Sequence, residues 1–297
     1  MVGVPLQAGR VAIVTGANSG IGYQTTLALV NKNIEVVMAC RDLQKAELAK
    51  TNILLENPGA KIKTMMLDLS SLSDVRKFAY SFLALYDKLD LLINNAGIMM
   101  SPYKITNDGF ENQLATNYLG HFALTGWLLP ILTGTPASRI VTLTSISYKW
   151  ANLEFNDFHA LKGYSRRTAY GQSKRACLMF AFELQRRLSM ADSKTLSVAA
   201  HPGLCKTNLD QYFPALVRPL GNLFLQPAQK GALSVLYAAL ADDVKGGEFI
   251  GPDGFCQIRG YPAKVEADEY SNDKEVAKHL WSKSMEMTNV FYLNENK

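Results

Sequence analysis

The sequence predicts a single α/β domain, a doubly wound (Rossmann) parallel sheet of seven strands with helices on both faces. Seven short apolar runs alternate with helical stretches along the chain, which is the order expected for such a sheet. The runs are continuously apolar rather than alternating, as strands buried on both faces should be. The first run also leads directly into a glycine-rich turn that is followed by a helix.

The predicted strands follow one another along the whole chain. We place them at residues 11–15, 35–39, 63–67, 89–94, 139–144, 196–200 and 248–251. No stretch rich in proline, glycine or serine divides the chain and no internal repeat is present, so residues 1–297 are expected to form one domain. The composition changes only late, in a carboxyl-terminal extension at about 262–297 that ends in a helix near 272–288.

A helix predicted at 168–188 is apolar on two sides. One stripe of residues would face the sheet, and further apolar residues lie off that stripe. The second side needs a second cover, which is either another subunit of a homo-oligomer or the chain's own carboxyl-terminal extension, and the sequence leaves both open. The stripe is Cys177, Phe180, Ala181, Leu184 and Leu188, and the residues off it are Leu178, Met179 and Phe182.

Composition narrows the class of protein. The chain has 297 residues, of which 48% are hydrophobic and 19% charged, which supports a sizeable core and excludes a disordered or fibrous protein. The formal net charge is +5, but the basic residues are scattered, so no nucleic-acid partner is expected. Four cysteines lie far apart without a C-x-x-C pair, which favours a reducing compartment and argues against a metal site or disulfide framework.

The location of the protein is expected to be cytoplasmic. Residues 1–10 lack the charged segment and apolar run of a signal peptide or anchor. The nearly uncharged run at 114–134 has about the length of a membrane span, but its polar residues favour a buried helix of the core. A peripheral contact with a membrane surface stays open as an alternative.

The glycine-rich turn at residues 15–22 is a candidate cofactor site. Glycines there permit a tight turn and let backbone amides approach a pyrophosphate, whose charge then lies at the positive end of the following helix. The spacing is G-x-x-x-G-x-G, and an ordinary glycine turn is the alternative for this motif alone. The candidate cofactor-binding residues here are Gly16, Asn18, Ser19, Gly20, Ile21 and Gly22.

The end of the second strand bears on the choice of cofactor. An acidic residue at this point would bind the ribose hydroxyls of NAD, whereas an arginine would accommodate the 2′-phosphate of NADP. Arg41 occupies the tip, and its guanidinium can form paired hydrogen bonds with a phosphate. Asp42 is expected to cap the next helix, and NAD would be favoured only if its side chain pointed inward. We therefore predict NADP rather than NAD.

Three side chains form a candidate acid/base site. Tyr170 and Lys174 are four residues apart and share one face of the predicted helix. A free tyrosine has a pKa of about 10, but an adjacent ammonium favours the phenolate, so Tyr170 can act as general acid or base for a carbonyl and an alcohol. Ser145 closes the fifth strand, where it can hold the substrate oxygen, and Ser147 is its rival for this role. The alternatives are a solvated Tyr170 and Lys174 pair and a Ser145 that only caps a turn.

These motifs together resemble the short-chain dehydrogenase/reductase family. Finer features resemble its retinol-dehydrogenase-like branch: the string at 39–42, the long gap between Ser145 and Tyr170, the string at 201–203 and Leu280-Trp281 in the last helix. The family motifs span about two-thirds of the chain in the family's order. They are T-G-x-x-x-G-I-G at 15–22, Asp68-Leu69, N-N-A-G at 94–97, Asn117, Ser145, Tyr170-x-x-x-Lys174 and Pro202-Gly203-x-x-x-Thr207.

The resemblance implies an NADP(H)-dependent oxidoreductase that interconverts a carbonyl and an alcohol. It gives Lys174 a second role in binding the nicotinamide ribose, and it gives Asn117 the role of positioning a water that relays protons behind Lys174. His201 could indicate a Ser-His hydrolase, but no G-x-S-x-G turn precedes a helix here, so we expect His201 to be a structural residue beside the cofactor loop and His121 and His159 to be packing residues. The further cofactor-binding residues that it implies are Asp68, Leu69, Asn95, Ala96, Gly97, Tyr170, Lys174, Pro202, Gly203 and Thr207.

An apolar segment after Thr207 is interpreted as a substrate lid at about 208–226. It has more large apolar residues than an ordinary surface loop, and its prolines and glycine prevent one long helix. A lid of this kind predicts a lipophilic substrate such as an aldehyde, retinoid or steroid. Burial against a second subunit or a membrane surface is the alternative. A non-catalytic nucleotide-binding or scaffold protein is the other alternative. Loss of Tyr170, Lys174 or Ser145 would indicate it, and all three residues are present.

Overall fold

The computed structural model of the protein describes residues 5–205 and 225–293, which are built around one central sheet. In the described residues the sheet has eight strands in the order β3-β2-β1-β4-β5-β6-β7-β8, and β1 to β7 run parallel. The doubly wound α/β fold is therefore confirmed. The strands are β1 Val11–Thr15, β2 Glu35–Cys40, β3 Ile62–Met66, β4 Leu91–Asn94, β5 Arg139–Leu143, β6 Leu196–Ala200, β7 Phe249–Pro252 and β8 Pro262–Lys264.

The predicted number of strands was one too low. The eighth strand, β8, has three residues and pairs antiparallel with β7 at the edge of the sheet. Its side chains are partly or fully exposed and it begins with Pro262, which an edge strand tolerates because one side of its backbone makes no ladder bonds. Such a strand lacks the continuous apolar run on which the prediction of the other strands depends. Lys264 at its end forms an ion pair with Glu248 beside β7.

Helices cover both faces of the sheet. The predicted helix 168–188 is α5 and extends to 25 residues, and the run at 114–134 lies in the buried helix α4 and the turns before it. No helix within the described ranges is long and apolar enough to cross a membrane. The helices are α1 Gly20–Val30, α2 Leu43–Glu56, α3 Leu72–Leu83, α4 Gly120–Gly134, α5 Arg166–Met190, α6 Ala228–Leu240, α7 Glu269–Asn272 and α8 Lys274–Thr288.

Two apolar cores lie on opposite faces of the sheet. Val11 and Ile13 of β1 point into the core under α3, α4, α5 and α8. Ala12 and Val14 point into the core under α1, α2 and α6. Successive side chains of a strand alternate between its faces, so a strand buried on both sides contributes to both cores.

The structure changes the predicted assignment of the two apolar sides of α5. Leu178 and Phe182, predicted to lie off the sheet-facing stripe, pack with Phe249 of β7, whereas Phe180 of the stripe is covered by α4 and the carboxyl-terminal extension. The indole ring of Trp281 on α8 lies 5.2 Å from the ring of Phe122 on α4 and 5.9 Å from that of Phe180 on α5. The hydroxyls of Tyr118 and Ser284 are 2.6 Å apart. Both apolar sides of α5 are therefore covered within the described part of the chain, one of them by the sheet together with Val265 and Ala267 of the extension, and the other by α4 and α8.

The sheet reverses its winding between β1 and β4. From β1 the chain proceeds outward to β2 and β3, and it then returns to place β4 on the other side of β1. In doubly wound sheets, ligands bind in the crevice outside the carboxyl ends of the strands at this point. The fold thus places the ends of β1 and β4 at the expected position of a site.

Candidate functional site

A cleft of about 1190 Å³ lies at the carboxyl ends of the strands. This volume is slightly above the range of about 300–1,000 Å³ that is usual for small-ligand pockets, which suits a long ligand. Every predicted site residue within the described ranges lines the cleft except Asn117, which lies behind it. Thr207 lies outside the described residues, as does the predicted lid apart from Leu225 and Gln226.

The turn between β1 and α1 forms one end of the cleft. Gly16 and Gly20 have φ angles of +66° and +55°, which side chains rarely tolerate. A Cβ atom on Gly22 would collide with the carbonyl oxygen of Gly16, so this position requires glycine for the turn to close. The amino terminus of α1 follows at once, and its free amides together with the helix dipole favour a phosphate.

Arg41 and Asp42, which follow β2, lie in different environments. Asp42 caps α2, because its Oδ1 accepts a hydrogen bond from the backbone N–H of Lys45 at 3.0 Å and its Oδ2 pairs with Lys45 Nζ at 3.0 Å. The backbone N–H of Lys45 lowers the pKa of Asp42. The predicted helix cap is confirmed. Arg41 is exposed and lines the cleft beside it.

A buried hydrogen-bond network joins β1, β4 and α4. The hydroxyl oxygen of Thr15 accepts hydrogen bonds from the backbone N–H groups of Asn95 and Ala96, both at 2.9 Å. Because the Nδ1 of His121 must donate to the carbonyl oxygen of Asn117, its Nε2 accepts from the Thr15 hydroxyl at 2.9 Å. Burial lowers the pKa of His121 to about 4, which keeps the ring neutral in this role.

The interpretation of His121 as a packing residue was therefore incomplete. Its ring is buried, but it links the glycine turn to the helix that carries Asn117. No sequence motif marks this link, because the partners Thr15 and His121 are 106 residues apart. The position of His121 four residues after Asn117, on the same face of a helix, was the one signal that could have suggested it.

Asn117 lies in a π-helical turn, Ala115–Leu119, directly before α4. Its Oδ1 accepts from the backbone N–H of Ile98 at 2.8 Å, and its Nδ2 donates to the carbonyl oxygen of Ile98 at 3.0 Å and to Ser173 Oγ at 2.9 Å. A Cβ atom on Gly97 would lie 3.1 Å from Asn117 Oδ1 and 3.4 Å from Lys174 Nζ. Asn117 therefore holds the loop after β4 close to the ammonium of Lys174.

The acid/base candidates Ser145, Tyr170 and Lys174 all line the cleft. Tyr170 and Lys174 share a face of α5, are 4% and 5% exposed, and place the ammonium 5.9 Å from the centre of the phenol ring. Lys174 Nζ also donates to the carbonyl oxygen of Leu143 at 3.3 Å. Ser145 follows β5, where its Oγ accepts from the backbone N–H of Ser147, and Ser145 is the more exposed of the two serines.

His201 binds the backbone of the loop that follows β6. Its Nδ1 accepts from the backbone N–H of Gly203 at 3.3 Å, and its Nε2 donates to Gln257 Oε1 at 3.0 Å. Burial lowers the pKa of His201 to about 4. The predicted structural role of His201 is confirmed, whereas its partner Gln257, in the loop between β7 and β8, carried no signal in the sequence.

Several large apolar side chains line the cleft. Gln113 fixes one wall, since its Oε1 accepts from the backbone N–H of Met100 at 2.7 Å. The guanidinium of Arg167 stacks on the indole of Trp150 at 4.7 Å from the ring centre. The large apolar residues that line the cleft include Ile98, Met99, Met100, Trp150, Leu204 and Leu225.

Within residues 5–205 and 225–293, no group of three or more His, Cys, Asp or Glu side chains is placed to hold a metal ion. The positive end of α1, the positive-φ glycines and the exposed guanidinium of Arg41 fit a phosphate-bearing dinucleotide.

Comparisons with known proteins give one consistent result. A family model described as short chain dehydrogenase matches residues 10–215. Retinol dehydrogenase 12 of Mus musculus is 36% identical over 284 residues, which cover 95% of this chain and 87% of that relative. Retinol dehydrogenase 11 of Mus musculus is 41% identical over 240 residues, which cover 80% of this chain and 75% of that relative.

Two solved structures extend the comparison. An uncharacterised protein from Mycobacterium paratuberculosis has a TM-score of 0.81 and 38% identity, with 97% of this chain and 96% of that one covered. A short chain dehydrogenase from Shigella flexneri, solved in complex with NADP, has a TM-score of 0.64 and 20% identity, with 82% and 97% covered. The second similarity concerns the fold alone.

Proposed function

We propose, since this chain belongs to the short-chain dehydrogenase family of oxidoreductases, that it interconverts a carbonyl and an alcohol with NADP(H) and uses Tyr170 as general acid and base. The family and its retinol-dehydrogenase-like branch, which the motifs indicated, are confirmed by the comparisons. The observation that carries the finer proposal is the convergence of Tyr170, Lys174 and Ser145 on one cleft at the carboxyl ends of the strands.

The proposed proton chemistry follows from these three side chains. In reduction, the hydroxyl of Tyr170 donates its proton to the carbonyl oxygen of the substrate, and the ammonium of Lys174 stabilises the phenolate that remains. The hydroxyl of Ser145 donates a hydrogen bond to the same oxygen and holds it in place. The nicotinamide cofactor supplies the hydride when bound. In oxidation each of these steps runs in reverse.

The proposed preference for NADP rests on Arg41 and Asp42. Asp42 is engaged with the amino terminus of α2, so its carboxylate is bound to Lys45 rather than free to bind ribose hydroxyls. Arg41 is exposed at the edge of the cleft, where a guanidinium can form paired hydrogen bonds with a 2′-phosphate.

The proposed substrate is lipophilic. Methionine, tryptophan and leucine side chains line the cleft, and burial of apolar substrate surface against them is favourable. The relatives at 35–41% identity are named retinol dehydrogenases, which makes a retinoid one member of the substrate class to test. The segment 208–226 is retained as a lid on the grounds of its sequence.

An NADPH-oxidation screen tests the proposal. Absorbance at the nicotinamide band is followed with long-chain aldehydes, retinoids, steroids and small polar carbonyls, for the wild type and for Tyr170→Phe. We expect turnover of the apolar carbonyls and its near-complete loss in the variant. Best turnover of small polar carbonyls would contradict the substrate class, and full activity of Tyr170→Phe would contradict the role of the tyrosine.

A further inference from the structure

A buried arginine follows the lysine of the acid/base site but faces away from the cleft. Arg175 is 3% exposed, and it is not among the described residues that line the cleft, although its neighbour Lys174 is. Adjacent residues of a helix point in directions about 100° apart, so one helix can serve two environments. A buried guanidinium must have hydrogen-bond partners, and those of Arg175 come from two separate parts of the chain.

The first group of partners belongs to the turn that carries Ser145. This turn, residues 145–151, consists of Ser145, the 3₁₀ segment Ile146–Trp150 and Ala151. Arg175 Nε donates to the carbonyl oxygens of Tyr148 and Ala151, at 3.1 and 2.7 Å. The guanidinium also lies 5.3 Å from the centre of the Tyr148 ring. Arg175 thus holds the end of the turn at whose beginning Ser145 lies.

The second group of partners belongs to the carboxyl-terminal extension. The Nη1 and Nη2 atoms of Arg175 donate to the two carboxylate oxygens of Asp268, at 2.8 and 3.0 Å. Nη1 also donates to Ser271 Oγ at 2.7 Å, and the guanidinium stacks 4.9 Å from the ring centre of Tyr270. Burial acts to raise the pKa of Asp268, but the hydrogen bonds from Arg175 and Ser271 outweigh it and lower the pKa.

The turn has little freedom to move between these contacts. A Cβ atom on Gly171 would lie 2.9 Å from the Cβ of Trp150 and 3.0 Å from the carbonyl oxygen of Ser147, so the turn packs directly on α5 one residue after Tyr170. The backbone N–H of Leu153 donates to the hydroxyl of Tyr270 at 3.2 Å. The extension therefore contacts the turn both through Arg175 and directly.

We propose that Arg175 and Asp268 form a clamp through which the carboxyl-terminal extension positions Ser145 relative to Tyr170. The proposal rests on the roles given to Ser145 and Tyr170 in the proposed function. Arg175 is a positioning residue, because it acts through the 145–151 turn and lies outside the cleft. A planar guanidinium suits this task, since its fixed fork binds a carboxylate with two parallel bonds while Nε remains available for the turn.

The experiment compares Arg175→Met and Asp268→Asn with a matched control on the same helix. Arg187 is 6% exposed, pairs with Glu183 and donates to the carbonyl oxygen of Leu293, but it lies about three helical turns beyond Arg175. Arg187→Met therefore removes a buried arginine that ties α5 to the end of the chain at a distance from the turn. NADPH affinity, kcat, KM and amide hydrogen exchange at residues 148–154 are measured for each.

The clamp predicts an effect on turnover that cofactor binding does not share. We expect Arg175→Met to lower kcat by about 10- to 100-fold, because a displacement of about 1 Å at a reacting group can cost about 100-fold. The Kd for NADPH should stay within about twofold, and exchange at 148–154 should accelerate. Arg175→Lys should lie between Arg175→Met and the wild type, since an ammonium keeps the charge but not the fork.

The carboxylate partner gives an independent comparison. Asp268→Asn should show the same pattern with a smaller amplitude, and it supplies the comparison if Arg175→Met does not fold. In the double variant the second substitution should add little, because both act on one contact. Arg187→Met should keep more than half of the wild-type kcat and an unchanged exchange rate at 148–154.

Three results would overturn the clamp. They are a kcat of Arg175→Met within twofold of the wild type, an equal loss in Arg187→Met, or unchanged exchange at 148–154 in both Arg175→Met and Asp268→Asn. If no carbonyl in the screen supports NADPH oxidation by the wild type, the proposed function fails. The hydrogen-exchange comparison alone then decides whether the clamp holds the turn.

Discussion

The two buried histidines should make the stability of the protein depend on pH. Burial lowers the pKa of both His121 and His201 from 6.5 to about 4. Between these values the unfolded chain holds a proton on each ring that the folded protein does not hold, so stability rises with pH across this window. For each ring, linkage then gives a loss of about 1.8 kcal/mol in the free energy of unfolding between pH 7 and pH 5.

The perturbation that isolates this effect is His121→Gln. Glutamine keeps a donor for the Asn117 carbonyl and an acceptor for the Thr15 hydroxyl, but it does not titrate. The variant should therefore lose about 1.8 kcal/mol less than the wild type between pH 7 and pH 5, whatever its stability at pH 7. Burial raises the pKa of Glu111, which has the opposite slope, but this contribution is common to both proteins and cancels.

Urea unfolding at a series of pH values measures the difference. Tryptophan fluorescence, to which the fully buried Trp281 contributes, reports the transition, and linear extrapolation gives the free energy of unfolding at each pH. His279→Gln is the control, because it removes an exposed histidine on α8 that is not part of the buried network around Thr15 and Asn117. Equal slopes for the wild type and His121→Gln, to within about 0.5 kcal/mol, would refute the argument that a neutral, buried His121 joins β1 to Asn117.

The remaining predictions concern the cleft and the assembly. Tyr170→Phe should lower kcat by about 1,000-fold and leave the Kd for NADPH within about threefold, and a variant with high turnover would remove Tyr170 from the proton step. Arg41→Asp should weaken NADPH binding by about 10- to 100-fold and NADH binding far less, as fluorescence titration can show, whereas equal losses would argue against a 2′-phosphate contact. Gly22→Ala should abolish NADPH binding while thermal unfolding stays cooperative, because the added methyl collides with the Gly16 carbonyl. Light scattering after gel filtration should give one chain's mass, 32.8 kDa, because α8 already covers α4 and α5; a stable dimer would show that another face associates.

Most of the fold could be predicted from the sequence because its strands are buried on both faces. Such strands appear as continuous apolar runs, and β1 to β7 were all placed to within two residues. The edge strand β8 has neither a continuous apolar run nor an alternating pattern, and its pairing with β7 depends on tertiary contact. The apolar pattern of the sequence indicates burial, so it does not predict a strand such as β8, whose side chains are partly or fully exposed at the edge of the sheet.

The site was predictable where its residues are close together along the chain. The glycine turn, the pair Tyr170 and Lys174, and the helix cap at Asp42 each depend on spacings of a few residues. The contacts that hold these parts together join distant residues: Thr15 meets His121, His201 meets Gln257, and Arg175 meets Asp268. These pairs cannot be inferred from a single sequence, because no local sequence motif marks either partner.

Helix α5 shows why these distant contacts bear on function. One of its faces presents Tyr170 and Lys174 to the cleft, and another presents Arg175 to Asp268 of the carboxyl-terminal extension. Because Arg175 binds both Asp268 and the backbone of the 145–151 turn, the position of the extension at Asp268 and the position of Ser145 are linked through this side chain. Substitutions in the extension are therefore expected to change turnover before they change cofactor affinity, since the glycine turn that favours the phosphates lies on α1, away from the extension.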